Sequence, residues 1–147
     1  MSDHVPAAIR RAVAHRAFNI CEYCLIHEAD TFFGCEIEHI IAKKHGGPTN
    51  LENLAYACVL CNRNKGSDIS SIDEAGRISS LFNPRLDHWS AHFEFDAITF
   101  RISAKSSAGS ATVRILDLNH ADRLLERENL CAAGRYPPAT ETRPAPR

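Results

Sequence analysis

The sequence has few glycines and prolines and lacks a long apolar run. Glycine and proline each occur 7 times in 147 residues, which excludes a collagen-like or low-complexity chain. A membrane-spanning helix needs roughly 20 apolar residues, and no stretch approaches that length. The first residues show no basic patch followed by an apolar run, so a signal peptide is not expected. These absences predict a cytoplasmic protein without a membrane partner, built as one globular domain or as one small domain with an appendage.

An excess of one charge is also missing. The 17 basic and 18 acidic side chains give a formal net charge of −1 with His neutral. Such a chain has no overall attraction to a polyanion. Any contact with nucleic acid must therefore come from a local basic patch or from a bound cation.

Cysteine, in contrast, is abundant, with 6 residues. Four of them form two Cys-x-x-Cys pairs: Cys21 and Cys24, and Cys58 and Cys61. In a reducing compartment, clustered cysteines bind metal more often than they form disulfides. Four thiolates suit one tetrahedral Zn²⁺, and because they fill every position the ion would be structural; a redox Cys-x-x-Cys is the weaker alternative. The remaining two cysteines stand alone and are predicted to be small buried hydrophobic residues; they are Cys35 and Cys131.

Hydrophobic periodicity predicts the elements around the cysteine pairs. A helix is expected over residues 6–20, a strand over residues 31–41, where polar and apolar residues alternate, and a short helix within residues 62–70. Further along, we expect a turn at 73–77, strands at 97–102 and 111–115, and a helix at 120–130 capped by Asn119. Val113, Leu116 and Leu124 would also suit a helix in place of the second of these strands. The proline-rich residues 134–147 are expected to be a disordered tail.

The loop between the cysteine pairs carries an ordered series of polar motifs. They are Glu38-His39-Ile40-Ile41, Gly46-Gly47, Asn53-Leu54 and Cys61-Asn62-Arg63-Asn64-Lys65-Gly66. This series, over residues 18–68, resembles the HNH endonuclease family. The family pattern is an acidic residue and a His at a strand end, a Gly-Gly loop, an Asn-Leu pair, and a Cys-Asn-x-x-Lys run that opens a helix. Many members carry the same two cysteine pairs.

The resemblance implies an α+β fold with a ββα-metal core, in which two antiparallel strands and a helix surround one divalent ion, next to a structural zinc knuckle. By position, His39 matches the general base, Glu38 a metal-binding acid and Asn62 the second metal ligand. Asn53 matches the central Asn, which orients the loop and the base. Spacing alone leaves Asn64 open as an alternative to Asn62.

Elementary chemistry agrees with these roles. Hydrolysis of a phosphodiester needs a water deprotonated near neutral pH, and His is the side chain whose unperturbed pKa lies in that range. A carboxylate and an amide oxygen are hard ligands that suit Mg²⁺ or Mn²⁺ and leave room for water and phosphate. Glu38 and His39 are adjacent, so a regular strand would point them to opposite faces. Both can serve one site only if the strand twists or ends there.

Basic residues near these motifs are predicted to grip phosphates of the bound nucleic acid; they are Lys43, Lys44, Arg63 and Lys65. Three arginines of the first predicted helix are candidates for the same contact with phosphates, but a solvated charged face explains them equally well; they are Arg10, Arg11 and Arg16.

The C-terminal half resembles, less specifically, a tail that accompanies a bacterial subgroup of the family. The motifs are Leu81-Phe82-Asn83-Pro84-Arg85 and Trp89-Ser90-x-His92-Phe93. We therefore divide the chain into an HNH nuclease domain (1–70), a small α+β extension (71–133) and the tail (134–147). Trp89, Phe93 and Phe95 are interpreted as core of the extension rather than as a base-stacking platform.

Together these features predict a metal-dependent endonuclease that cleaves phosphodiester bonds in nucleic acid, with DNA favoured by family analogy. A homodimer or an unidentified protein partner is compatible with so small a domain. The alternatives are a zinc-dependent nucleic-acid-binding module without catalysis and a protein-interaction adaptor, which the near-neutral charge would suit.

Overall fold

The computed structural model describes residues 4–139, which fold into five α-helices and six β-strands. The helices are α1 (Ala7–Arg16), α2 (Val59–Lys65), α3 (Trp89–His92), α4 (Ser107–Ile115) and α5 (Ala121–Ala132). The strands are β1 (Cys35–His39), β2 (Leu54–Cys58), β3 (Ser70–Ile72), β4 (Ile78–Ser80), β5 (Phe93–Phe95) and β6 (Ile102–Ala104). They pair as three antiparallel two-stranded sheets, β1–β2, β3–β4 and β5–β6. Over residues 4–139, no helix is long and apolar enough to cross a membrane.

The predicted ββα unit is present. Strands β1 and β2 pair from Cys35 opposite Cys58 to His39 opposite Leu54. Helix α2 starts at the residue after β2, and the Cys58 side chain accepts a hydrogen bond from the backbone N–H of Cys61 at the start of the helix. The end of β1 and the start of α2 therefore lie on one small, continuous unit, as the α+β prediction requires.

Helix α1 is shorter than the predicted helix over 6–20. It ends at Arg16, and Phe18 and Asn19 both adopt positive φ angles, 53° and 58°. These left-handed residues turn the chain toward the first cysteine pair, so the helix cannot continue. Buried Val13 packs with Leu54 in a cluster that joins α1 to the β1–β2 sheet.

Strand β1 is also shorter than the predicted strand over 31–41. Phe32 and Phe33 are 91% and 70% exposed, and Gly34 turns the chain with a φ of 75° just before Cys35. The expected strand therefore begins late, because its first residues protrude from the surface. It ends at His39 because the chain leaves the sheet there to enter the Gly46-Gly47 loop.

One strand prediction in the C-terminal half is wrong. Residues 111–115 belong to helix α4, which begins where the Ser106 hydroxyl accepts a hydrogen bond from Gly109 N at 2.9 Å. The helix packs closely here, since a Cβ on Gly109 would lie 2.2 Å from the carbonyl oxygen of His92. The strand predicted at 97–102 shifts to β6, because Asp96 Oδ1 accepts from Ile98 N at 2.7 Å and forms a turn.

The cap of the last helix is His120, not the predicted Asn119. The Nδ1 atom of His120 accepts from Asp122 N at 3.1 Å at the start of α5. Asn119 instead bonds the backbone of β6, accepting from Ile102 N at 2.8 Å and donating to Ile102 O at 2.9 Å. The turn predicted at 73–77 does connect β3 and β4.

A single hydrophobic cluster contains residues of both predicted domains. Phe82 and Phe93, both buried, pack with Tyr23 of the first cysteine pair, and Trp89 and Phe95 pack against the same cluster. This agrees with their interpretation as core. The hydrophobic packing is continuous across residue 70, and the division into two domains there stays a prediction.

The start of the predicted tail packs against the core. Tyr136 is 5% exposed, and its hydroxyl donates to the carbonyl oxygen of Cys24 at 2.9 Å. A disordered tail from residue 134 is therefore wrong for this aromatic side chain, which the core buries. Residues 140–147 of the prediction lie outside the described part of the chain. The two lone cysteines, Cys35 and Cys131, are half-buried and pack against the core.

Candidate functional site

Four cysteine thiols meet at one buried point. The Sγ atoms of Cys21, Cys24, Cys58 and Cys61 all lie within 4.8 Å of one another. Cys24 Sγ and Cys58 Sγ are 3.7 Å apart, far from the roughly 2.0 Å of a disulfide. A tetrahedral zinc with Zn–S bonds of about 2.3 Å places its sulfurs about 3.8 Å apart. The four side chains therefore fit a zinc ion in number, chemistry and spacing.

Each cysteine pair forms a tight turn that points both thiols inward. The backbone N–H of Cys24 donates to Cys21 Sγ, and that of Cys61 donates to Cys58 Sγ, both at 3.5 Å. Such N–H···S contacts stabilise thiolates. Among residues 4–139 this is the one grouping of three or more His, Cys, Asp or Glu side chains placed to hold a metal.

An arginine from the C-terminal helix completes the surroundings of the thiols. Arg123 on α5 is 4% exposed, and its Nη2 atom lies 3.0 Å from Cys61 Sγ and 3.9 Å from Cys58 Sγ. The sequence reasoning missed this residue, because nothing in the local motif of α5 indicates where its side chain reaches.

A second candidate site is an open cleft at the end of β1, with a volume of about 480 Å³. Its lining includes most of the side chains that the motifs singled out: Glu38, His39, Lys43, Lys44 and Asn62. The strand ends at His39, which resolves the problem posed by adjacent Glu38 and His39. Both residues reach one cleft because the regular alternation stops there.

His39 is held by a neighbouring hydroxyl. Its Nε2 atom lies 2.8 Å from Thr49 Oγ1. The ring is half-buried on the cleft wall. When Nε2–H donates to Thr49, the neutral ring carries its basic lone pair on Nδ1.

Asn53 organises the loop that follows His39. Its Oδ1 accepts from Ile41 N at 2.9 Å, and its Nδ2 donates to Ile41 O at 2.9 Å and to Pro48 O at 2.8 Å. Gly47 allows this close fit, because a Cβ there would lie 1.7 Å from Ile41 O. Asn53 thus bonds loop backbone, and it does not line the cleft.

Glu38 forms the buried floor of the cleft together with two partners. Lys65 Nζ lies 2.5 Å from Glu38 Oε1, and the hydroxyl of Tyr23 donates to Glu38 Oε2 at 2.6 Å. Burial raises the pKa of the Glu38 carboxyl, and the Lys65 ammonium acts in the opposite direction. Burial, followed by the charge of Glu38, raises the pKa of Tyr23 well above its usual value. Because Tyr23 lies between Cys21 and Cys24, this bond connects the thiol cluster to the cleft.

The structure distinguishes the two asparagines of α2. Asn62 lines the cleft and donates from Nδ2 to Glu36 Oε1 at 3.3 Å. Asn64 points elsewhere and donates to Leu116 O at 2.8 Å. Of the two, Asn62 is the one whose carbonyl oxygen can serve an ion in the cleft.

The basic residues separate into exposed and buried groups. Lys43, Lys44 and Arg63 are exposed, and the two lysines line the cleft. The prediction that Lys65 grips phosphates does not fit the structure, because its side chain is 2% exposed and its Nζ also donates to Ile40 O at 2.7 Å. Burial of that ammonium is explained by the Glu38 carboxylate, which needs a cation at the same depth.

Two arginine side chains, those of Arg16 and Arg85, have structural roles near the start of β2. Arg16 donates to Leu51 O at 2.9 Å and to Leu54 O at 2.8 Å. Arg85 donates to Leu54 O at 3.0 Å and forms an ion pair with Glu22. Both guanidinium groups hold the start of β2 in place. Burial raises the pKa of Glu22, and the charge of Arg85 opposes that rise.

Comparison with known proteins agrees with this arrangement. A family described as HNH endonuclease matches residues 21–68. Neither the curated proteins nor the solved structures contain a significant match to the chain. The matched segment begins at the first cysteine of the thiol cluster and includes β1, β2, α2 and the cleft between them. Residues 21–68 therefore match the HNH endonuclease family, and we refer to this segment as the HNH domain.

Proposed function

We propose that the HNH domain is a metal-dependent endonuclease that hydrolyses phosphodiester bonds, with DNA as the first substrate to test, and that the four cysteines hold a structural zinc. One observation carries the proposal: His39, Asn62, Lys43 and Lys44 line the same open cleft. A proton acceptor, an amide oxygen and two cations within one cleft are the groups that cleavage of a phosphodiester requires. The family match supports the same reaction class.

The cleft residues fit a single hard cation such as Mg²⁺ or Mn²⁺. A carboxylate offers about four lone-pair sites. The Tyr23 hydroxyl occupies one on Glu38 Oε2, whereas Oε1 forms an ion pair with Lys65 and accepts no hydrogen bond within the described part of the chain. Asn62 uses its amide N–H₂ on Glu36, which leaves its carbonyl oxygen for an ion. Mg²⁺ often takes only one or two protein ligands and keeps several waters. When bound, the ion would neutralise phosphate charge and stabilise the leaving oxygen.

The protein groups have distinct roles in this proposal. His39, fixed by Thr49, accepts a proton from the attacking water through Nδ1. Lys43 and Lys44, which are exposed and line the cleft, bind backbone phosphates on either side of the scissile bond. Because these contacts go to phosphate, the expected recognition depends on salt and is weakly dependent on base sequence.

A supercoiled-plasmid assay tests the proposal. Wild type and His39→Ala are compared with Mg²⁺, Mn²⁺ or EDTA, after equal zinc content and folding are established. We expect ion-dependent cleavage by wild type and a loss of at least about 100-fold in rate for His39→Ala, the usual contribution of a general base. His88→Ala is the matched control, because this exposed histidine lies outside the HNH domain. Equal activity of His39→Ala and wild type would contradict the assignment.

The second candidate is a zinc-dependent binding module without catalysis. It is favoured by the Glu38–Lys65 ion pair, which already neutralises the acid that would hold the ion. This candidate predicts that folded, zinc-loaded protein binds a labelled duplex at low salt without cleaving it under any ion condition. Binding and cleavage measured on the same duplex separate the two functions.

A further inference from the structure

The buried guanidinium of Arg123 has sulfur as its charged partner. Its Nη2 atom lies 3.0 Å from Cys61 Sγ, and its Nη1 donates to Leu116 O at 2.9 Å. No carboxylate lies within 4.0 Å of Arg123 in the described part of the chain. A fully buried cation without an anionic partner is strongly unfavourable. Its location is therefore explained if the thiols beside it carry negative charge.

Four thiolates around one Zn²⁺ leave a net charge of −2 in the interior. Burial of that charge is costly unless a cation lies close to it. The cluster residues Cys21, Cys24 and Cys61 are completely buried, so solvent cannot provide the compensation. Arg123 is the residue that contributes a positive charge within hydrogen-bond distance of a ligand sulfur.

We propose that Arg123 is the counter-ion of the zinc–tetrathiolate site, so that the C-terminal extension, and not only the HNH domain, determines how tightly zinc is held. This inference rests on the proposed zinc site and not on nuclease activity. Arg123 acts as a positioning residue: it donates to Cys61 Sγ, lowers the net charge of the site from −2 to −1, and fixes α5 against α2. Zinc retention and docking of α5 are then two outcomes of one contact.

Arg127, one turn further along α5, provides an internal control. It is also fully buried, but its guanidinium donates to the oxygens of Phe100, Leu118 and Asn119 and to no sulfur. Replacement of Arg127 removes a buried arginine from the same helix without removing a hydrogen bond to the thiols. Any effect specific to the counter-ion must therefore differ between Arg123 and Arg127.

The test uses the full chain loaded with Zn²⁺ and, separately, with Co²⁺. Zinc release to a colorimetric chelator and the sulfur-to-cobalt charge-transfer bands are measured for wild type, Arg123→Met, Arg123→Lys and Arg127→Met. We expect zinc release at least about tenfold faster for Arg123→Met, as loss of a charge-assisted hydrogen bond predicts, with shifted charge-transfer bands. Arg123→Lys retains the charge but not the paired donors, so an intermediate release rate is expected. Arg127→Met should keep the wild-type bands.

Each result decides the inference. Release from Arg123→Met at the wild-type rate, or the same acceleration in Arg127→Met and Arg123→Met, would overturn it. If Arg123→Met does not fold, Arg123→Lys alone decides, because wild-type release and bands in that variant would exclude a role for the guanidinium. A wild-type chain that binds no Zn²⁺ would overturn the zinc proposal itself, and that outcome is independent of any nuclease assay.

Discussion

The thiol cluster and the cleft at His39 are two polar sites within one small domain, and they are built on opposite principles. The cluster is closed, with four like side chains directed at one point and all of its sulfurs within 4.8 Å of one another. The cleft is open, and its polar side chains first satisfy each other: Glu38 with Lys65 and Tyr23, and His39 with Thr49. The cluster is thus arranged to hold a single metal ion. The cleft residues instead contact each other and still leave the cleft open to solvent.

The two sites are nevertheless coupled through Tyr23. Its backbone lies inside the first cysteine pair, and its hydroxyl donates to Glu38 at the floor of the cleft. Loss of the cluster should therefore disturb the cleft, while changes confined to the cleft should leave the cluster intact.

Removal of zinc is expected to have the largest effect. Structural zinc contributes on the order of 10 kcal/mol in small sites, and here the thiols lie at the centre of the main hydrophobic cluster. We expect the chelated protein to lose cooperative thermal unfolding, followed by circular dichroism. Subsequent addition of Zn²⁺ should restore it and Mg²⁺ should not. An unchanged melting transition in chelator would show that the thiols pack without metal.

Breaking the Glu38–Lys65 ion pair is expected to have the next largest effect. Both side chains are 2% exposed, so Lys65→Met leaves a buried carboxylate without its cation and should lower the free energy of unfolding by about 3 kcal/mol. The double variant Glu38→Gln/Lys65→Met contains no buried charge and should lose clearly less than the sum of the single variants. Denaturant unfolding of wild type, Glu38→Gln, Lys65→Met and the double variant measures the free energies that this comparison needs. Additive losses would mean that the two groups do not interact.

A smaller loss of stability is expected for Asn53→Ala. The side chain makes three hydrogen bonds to the backbone of Ile41 and Pro48. Truncation leaves these part-buried backbone groups unpaired, at a cost of about 2 kcal/mol. Asn53→Asp is the informative companion, since it keeps the acceptor for Ile41 N and loses both donors. Denaturant unfolding should give Asn53→Asp a lower free energy of unfolding than wild type. The zinc content should be unchanged in both variants.

Features defined by local sequence were predictable. The two Cys-x-x-Cys pairs identify all four thiols, because each pair fixes a short turn. The ββα unit and the choice of His39 and Asn62 were implied by the resemblance to the HNH family, which rests on the order of motifs in a single segment. The turn at 73–77 likewise depends on neighbouring residues, with Asp73 Oδ1 accepting from Ala75 N and Arg77 N.

Features defined by distant contacts were not predictable. Lys65 looked like a phosphate ligand in its motif, and only its approach to Glu38 shows that it is buried. Arg123 reaches sulfurs more than 60 residues earlier in the chain. Helix α4 was expected to be a strand, because five residues with Val and Ile fit both elements, and the Ser106 cap and the contact of Gly109 with His92 favour the helix. In each case the deciding partner lies on another element.

The smallest expected effect concerns the hydroxyl beside His39. Thr49→Val keeps the shape of the side chain but removes the Oγ1 atom 2.8 Å from Nε2. The ring then loses the group that fixes its tautomer, and a hydrogen bond worth about 1 kcal/mol corresponds to a decrease of about fivefold in kcat. Thr49→Ser retains the hydroxyl and should keep wild-type activity. The pH profile of cleavage distinguishes a role at His39 from a general loss of packing, because only the former shifts the acidic limb of the profile. A fivefold loss of activity without that shift would mean that Thr49 stabilises the loop and that His39 is positioned by its own strand.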